Sequence, residues 1–291
     1  MDATAIFVIH NDADRLIQLL DVVLAEAAMA VVVDNASEDD SVQALEGRER
    51  VAVIRNPDNR GFAAAVNQAA ALTGTGWILL VNPDVHLQPG DVVALLTAVP
   101  GDVVAVAPLQ VDGEGRPRVE TGGYEPTLSR YLVWAVLPAR FHGRRGPWLA
   151  PPFPTADAEV DWASGALLGI RREAFERLGR FDERYFLYHE DVDFGRRARA
   201  AGYRIWIRPS VRLHHEVAHG ESSRRVKAGL RSIESVAQDF DGLRRRGLGL
   251  VLGLGYGLRA LLGSGTQRAM ARAALPHCRA LVLGRLPTRT P

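Results

Sequence analysis

The sequence predicts an α/β protein with a mostly parallel β-sheet covered by helices on both faces. Two observations carry this. Over the first hundred residues, short continuous apolar runs alternate with segments of helical period. Those runs stop at clusters of Asn, Asp, Pro and Gly, as strands do when they enter loops. The length, 291 residues, suits one large α/β domain plus a helical extension, or two smaller domains.

The elements follow in order. Ala5–Ile9 reads as a short buried strand, and Asp14–Ala28 carries Leu and Val at helical spacing. The β-branched run Ala30–Val33 ends at Asp34-Asn35-Ala36-Ser37, and Asp39–Leu45 reads as a short helix. Val51–Arg55 is a third strand, followed by the turn cluster Asn56-Pro57-Asp58-Asn59-Arg60-Gly61 and the Ala-rich helix Phe62–Leu72. Trp77–Val81 is a fourth strand, closed by Asn82-Pro83-Asp84. Residues 112–157, rich in Gly, Pro and Arg, read as loops with a short helix at Leu128–Leu137, either an acceptor-facing flap or a connection. Regular pattern then returns. Trp162–Arg171 is a strand, Arg172–Leu178 a helix, and Glu190–Ala201 a helix stopped by Gly202. Tyr203–Ile207 and Val211–His214 are strands, and the chain is helical after Ser222. Two domains are expected: residues 1–220, the sheet domain, and 221–291, a helical extension.

Composition excludes some classes. Net charge is +1, which gives no sign of a nucleic-acid partner. The single Cys278 forbids an intrachain disulfide and suits a reducing cytoplasm. The N-terminus lacks a signal-peptide pattern, and no charge-free apolar stretch reaches 18 residues. Arg far outnumbers Lys and clusters late, at Arg224–Arg225, Arg244–Arg246, Arg259, Arg268 and Arg272.

In sheets of this kind, ligands bind beyond the carboxyl ends of the strands, where Asp34 and Asp84 stand. Asp84 fits either a turn cap or a carboxylate holding Mg²⁺ or Mn²⁺. Asp34 and Asn35 either cap the next helix or face a base and ribose. Gly61 and the small residues after it allow either close helix packing or a ligand lying near the backbone. In Glu190-Asp191-Val192-Asp193, three acids open a helix among aromatics; they serve either the helix dipole or general-base chemistry. His214 ends a short strand, either as an ordinary structural histidine or as a nitrogen ligand beside Asp84.

Order and spacing go further. The segments VVVDNASEDDSV (31–42), NPDNRGFAAAVNQA (56–69), ILLVNPDVHL (78–87), WASGALLGIRREAFERLGRFDERYFLYHEDVDFGRRARAAGYRI (162–205) and VRLHHE (211–216) together resemble glycosyltransferase family 2, in particular its bacterial rhamnosyltransferase-like branch. The resemblance spans about residues 3–220 and implies a GT-A fold, a Rossmann-like nucleotide-diphospho-sugar transferase. It implies that Asp34 bonds the donor's pyrimidine, that Asn35 and Ser37 lie near the nucleoside, and that Asn59, Arg60, Gly61 and Asn67 line the donor pocket. Asn82-Pro83-Asp84 stands where the family carries Asp-x-Asp, with Asn82 replacing the first acid and Asp84 as the main carboxylate on Mg²⁺ or Mn²⁺. His214 resembles a further metal ligand, with His215 as the register alternative. Asp191 resembles the catalytic base. Trp162, Gly165, Ala166, Glu190 and Asp193 resemble the acceptor side.

The implied reaction is inverting transfer of a sugar, L-rhamnose from a dTDP-linked donor, to a lipid-linked or polysaccharide acceptor in cell-wall biogenesis. UDP-galactofuranose, UDP-GlcNAc or another UDP-sugar is the alternative donor, and a non-catalytic nucleotide-sugar-binding homologue the alternative class. A nucleotidyltransferase fits less well, because the first strand leads into His10-Asn11-Asp12-Ala13 and not into a Gly-rich basic loop. Residues 244–263, an apolar run flanked by arginines, read as an interfacial helix at the inner face of the plasma membrane, or as a buried helix or dimer contact.

Overall fold

The computed structural model describes residues 1–11, 13–45, 47–215, 222–263 and 265–287. Asp12 and Glu216, which belong to two of the motifs above, lie outside them, as do the side chains of Arg224 and Arg225. In chain order the elements begin with β1 (Ala3–Ile9), α1 (Ala13–Leu24), β2 (Met29–Asn35), β3 (Val51–Asn56), α2 (Phe62–Ala70), β4 (Trp77–Val81), β5 (Val85–His86), α3 (Asp91–Leu96) and β6 (Val103–Val111). They continue with β7 (Gly122–Gly123), α4 (Leu128–Val136), β8 (Ala158–Val160), β9 (Trp162–Ala163), β10 (Leu167–Arg171), α5 (Arg172–Arg177), α6 (Glu190–Ala200) and β11 (Arg204–His215). The last are α7 (Ser222–Val236), α8 (Gly242–Leu262) and α9 (Gly265–Val282).

Among the described residues one large sheet runs β3-β2-β1-β4-β10-β6-β11-β5, with β8 also on β11. β1 to β4 are mutually parallel, β10 runs antiparallel between β4 and β6, and β11 returns parallel to β6. This is the mixed, mostly parallel sheet of a GT-A fold. Its geometry gathers one edge: the carboxyl ends of β1, β2, β4, β6 and β11 meet the amino end of the reversed strand β10. β4 is apolar and buried throughout, and β1 nearly so, because both faces of the sheet are covered there. Phe7 and Ile9 join the core containing Leu16 and Leu20 of α1, while α2, whose alanines are buried, packs on β1 and β2.

The chain divides into two compact units: residues 1–123, 153–186 and 190–217, and residues 124–152, 187–189 and 218–291. The second unit has its own core, including Tyr131, Ile233, Phe240, Leu248 and Leu281. Its helices approach closely through glycine. A Cβ on Gly249 would lie 2.6 Å from the Val282 nitrogen of α9, and one on Gly255 2.6 Å from the Trp134 ring of α4. Arg259 stacks over that ring at 4.0 Å and donates to the Trp134 carbonyl at 2.9 Å.

Three differences from the sequence reading have physical reasons. The expected strand Trp162–Arg171 breaks at Ser164-Gly165-Ala166, with β9 and β10 in different sheets. The two expected strands after Gly202 are one, β11, with an irregularity between Arg208 and Arg212 that accommodates Pro209. Strand β6, central to the sheet, and α3 before it form where no element had been assigned.

Candidate active site

At the shared edge, the loop after β2 is held by its own side chains. Asp34 Oδ1 accepts from the Ser37 backbone N–H at 2.9 Å, and Ser37 Oγ accepts from the Asn11 N–H at 2.9 Å. Asn11 Oδ1 in turn accepts from the Glu38 N–H at 2.7 Å. Asn35 is buried; its amide donates to the Gly61 carbonyl at 3.1 Å, and its oxygen accepts from Asn56 at 2.8 Å. Asn56 and Gln68 exchange amide hydrogen bonds at 2.9 and 3.0 Å. The β2 loop and the Gly61 turn are thereby one hydrogen-bonded piece.

Gly61 enters α2 with φ 85° and ψ 173°, and Asn59 Oδ1 accepts from its N–H at 3.0 Å. A Cβ there would collide with the Phe186 carbonyl, the same oxygen that accepts from the Phe62 N–H at 2.7 Å. This contact ties the Gly61 turn to the stretch leading into α6. Arg60 is exposed. Asn67, expected to face the donor, instead anchors that same stretch. Its amide donates to the Phe181 carbonyl at 2.9 Å and to Glu183 at 3.0 Å, while its oxygen accepts from the Phe181 N–H at 3.1 Å.

The Asn82 N–H donates to the Ala166 carbonyl at 2.9 Å, joining the β4 exit to the start of β10. Gly165 packs against the Phe62 ring, and Trp162 is buried on β9. Asp84 meets a histidine, and the register decides which. His214 pairs with His86 across β5 and stacks on its ring at 4.9 Å. His215 points the other way, its Nε2 3.1 Å from Asp84 Oδ1 and its Nδ1 3.1 Å from Gln110 Oε1. The expected partner of Asp84, His214, is therefore corrected to His215; alternation along a strand puts adjacent residues on opposite faces.

This donor set fits a cation. With Nδ1–H donating to Gln110 Oε1, Nε2 confronts a carboxylate, an arrangement that calls for a proton or a metal ion between two acceptors. Among the described residues no three His, Cys, Asp or Glu side chains converge. One carboxylate and one imidazole match Mg²⁺ or Mn²⁺ sites that draw their remaining oxygen ligands from diphosphate and water.

The acids opening α6 divide by environment. Asp193 pairs with Arg197 one turn on, at 2.8 Å, so it braces the helix. Glu190 is buried, and among the described residues its Oε2 has no hydrogen-bond partner. Burial first, and the neighbouring Asp191 charge second, push its carboxyl well above the ordinary 4.5. A protonated Glu190 spares Asp191 an adjacent negative charge. Asp191 is half-buried, on the first turn of the helix. Directly before it, Tyr188 and His189 both take left-handed backbone, φ 66° and 73°, an uncommon pair for side-chain-bearing residues.

His10, whose Nδ1 lies 3.0 Å from the Asn35 carbonyl oxygen, Asn11, Asn56, Gln68, Gln110 and Phe186 had not been singled out as site residues. Gln110 had a readable signal: a polar residue at the end of a nine-residue strand that is otherwise apolar and wholly buried. The rest act through hydrogen bonds, some to backbone and some between amide side chains, that no sequence period announces.

A mixed sheet whose carboxyl edge carries the Asp34–Asn35 loop and the Asp84–His215 pair is that of a GT-A enzyme, a nucleotide-sugar-dependent glycosyltransferase. Residues 4–179 match the family described as Glycosyl transferase family 2. The chain is 33% identical over 230 residues to an N-acetylglucosaminyl-diphospho-decaprenol L-rhamnosyltransferase of Mycobacterium tuberculosis, covering 71% of this chain and 72% of that protein. It is 26% identical over 211 residues to the low-salt glycan biosynthesis hexosyltransferase Agl10 of Haloferax volcanii, covering 70% of this chain and 64% of that one. In fold it is similar to the mannosyltransferase PcManGT of Pyrobaculum calidifontis, solved with GDP-Man and Mn²⁺, with TM-score 0.58, 17% identity, and coverage of 97% of this chain and 85% of that one. The chain belongs to glycosyl transferase family 2, with homology to bacterial rhamnosyltransferases.

Proposed function

We propose that the protein is an inverting, metal-dependent rhamnosyltransferase that moves L-rhamnose from dTDP-L-rhamnose to a hydroxyl of a lipid-linked cell-envelope acceptor. The single observation behind the chemistry is the common sheet edge carrying the Asp34–Asn35 loop and the Asp84–His215 pair, with Phe186 linking the Gly61 turn to the approach to α6. The sugar and the lipid-linked acceptor are supported by the mycobacterial relative's name alone.

In this reading the β2 loop binds the nucleoside: Asp34 takes the base, with Asn35, Ser37 and Asn59 around it. Asp84 and His215 would hold Mg²⁺ or Mn²⁺, which supplies charge neutralisation for the diphosphate. Asp191 removes the proton of the acceptor hydroxyl as that oxygen attacks the anomeric carbon from the face opposite the diphosphate; the bond from that carbon to the phosphate oxygen breaks and dTDP leaves with the electron pair, a single displacement. Glu190, Trp162, Gly165 and Ala166 shape the acceptor side. Residues 1–220 form the catalytic domain, and residues 221–291 set it at the inner face of the plasma membrane.

Asp191→Asn keeps the shape and removes the base. Turnover is expected to fall by about 10²–10⁴ with donor affinity retained, measured by diphosphate release and by calorimetry. Near-normal turnover removes Asp191 from the mechanism. A panel of dTDP- and UDP-sugars in the same assay tests the donor. Release with dTDP-L-rhamnose is the expected result; release confined to a UDP-sugar overturns the rhamnose assignment and leaves the transferase class standing.

A further inference from the structure

The helical unit carries a feature that sugar transfer does not use. Leu243, Leu250, Leu254, Leu258 and Leu261 of α8 all face solvent, and at 100° per residue they fall within an arc of about 80° along about 27 Å of helix. Leu243, Leu250 and Leu261 are 83%, 63% and 77% exposed, values that stand out in a chain with buried Leu248 and Leu252 on the opposite side of the same helix. A continuous apolar stripe of this kind marks an interaction surface.

Charge selects the occupant. From Gly242 onward the sequence holds nine arginines and no Asp, Glu or Lys, whereas residues 1–241 carry 26 basic and 34 acidic residues, a net of −8. On α9, Arg268, Arg272 and Arg279 are exposed and share one helical face. A second copy of this unit would bring like charge against like charge. An anionic surface meets cations alone, with leucines to enter its acyl boundary. Among the described residues no helix is long and apolar enough to cross a membrane, which matches a helix lying on one.

We infer that the exposed leucine stripe of α8, with the arginines of α9, is a docking surface for an anionic phospholipid bilayer. It deepens the membrane placement proposed above and does not depend on the donor or on the chemistry.

The test is co-sedimentation of the full chain with phosphatidylcholine vesicles and with vesicles of equal parts phosphatidylcholine and phosphatidylglycerol. Binding is expected to the mixed vesicles, weakening with salt. Arg268→Gln, Arg272→Gln and Arg279→Gln together are expected to lower it by about 100-fold, about fivefold for each charge. Leu250→Ser with Leu261→Ser is expected to lower it by roughly tenfold or more, because the apolar contribution goes. These side chains are exposed, so both variants keep the wild-type thermal midpoint and diphosphate release in solution. Equal binding to both vesicle types, or full binding by the leucine variant, overturns the inference. So does a wild-type dimer in light scattering that the leucine variant abolishes, since the stripe then belongs to a second copy. If the wild type binds vesicles but releases no diphosphate from any nucleotide-sugar, the transferase reading fails and the docking surface stands.

Discussion

Single residues at the α6 start show how environment divides similar groups. Asp193 pairs with Arg197, whereas the carboxyl of Glu190 is pushed well above its ordinary value by burial and by the Asp191 charge. The linkage has a definite sign. Below about 4.5 both the folded and unfolded chains hold the Glu190 proton, and its burial costs no ionisation. Above 4.5 the unfolded chain releases the proton while the folded chain keeps it, so stability falls by about 1.4 kcal/mol per pH unit until the folded group titrates. Glu190→Gln carries a permanently neutral amide at the same place. Its stability relative to wild type is expected to rise as pH climbs from 4.5, read from urea midpoints at several pH values. Parallel curves for the two proteins would show that Glu190 ionises freely in the fold.

Among elements, the Gly61 turn is the junction between the β2 loop and the stretch that leads into α6. Ala at that position meets two penalties: a backbone region that costs about 1–3 kcal/mol without glycine, and collision with the Phe186 carbonyl that also breaks its bond with the Phe62 N–H. Gly61→Ala is expected to lose about 3 kcal/mol or more by denaturant unfolding and to weaken donor binding with it; a stable, fully active variant would mean the turn relaxes freely. The same turn was legible in advance, because a Pro-Asp-Asn-Arg-Gly cluster before an Ala-rich helix states its conformation locally. β1, β2 and β4 were legible for a similar reason, each being an apolar run bounded by turn residues. β6 and α3 were not: residues 91–111 are apolar on both sides of Pro100-Gly101, and such a run does not separate buried helix from buried strand by period. The histidine choice failed at a finer level. His214 and His215 are adjacent, and only the pairing of β11 with β5 tells which one turns toward Asp84.

At the scale of the whole molecule, ligands that bind only the folded chain raise its stability, so the proposed site is testable without knowing the acceptor. A dTDP-linked donor at about one hundred times its Kd adds about 2.7 kcal/mol, which moves the thermal midpoint by roughly 5 °C in a chain of this size. Mn²⁺ is expected to add a second increment that appears only with the nucleotide, because in the proposed site Asp84 and His215, 3.1 Å apart, would supply only two ligands and the diphosphate the rest. A chelator should return the midpoint to the nucleotide-only value. Gln110→Leu separates the metal from mere packing. Leucine fills similar space in the strand but no longer accepts from His215 Nδ1–H, so the ring loses its fixed tautomer and orientation. Losing such a supporting hydrogen bond costs about 10–100-fold in metal affinity. The nucleotide increment should survive in Gln110→Leu, and the Mn²⁺ increment should demand correspondingly more metal. If Mn²⁺ adds nothing to the wild-type midpoint in the presence of nucleotide, Asp84 and His215 are an ordinary ion pair at the sheet edge and the transfer proceeds without a metal held there.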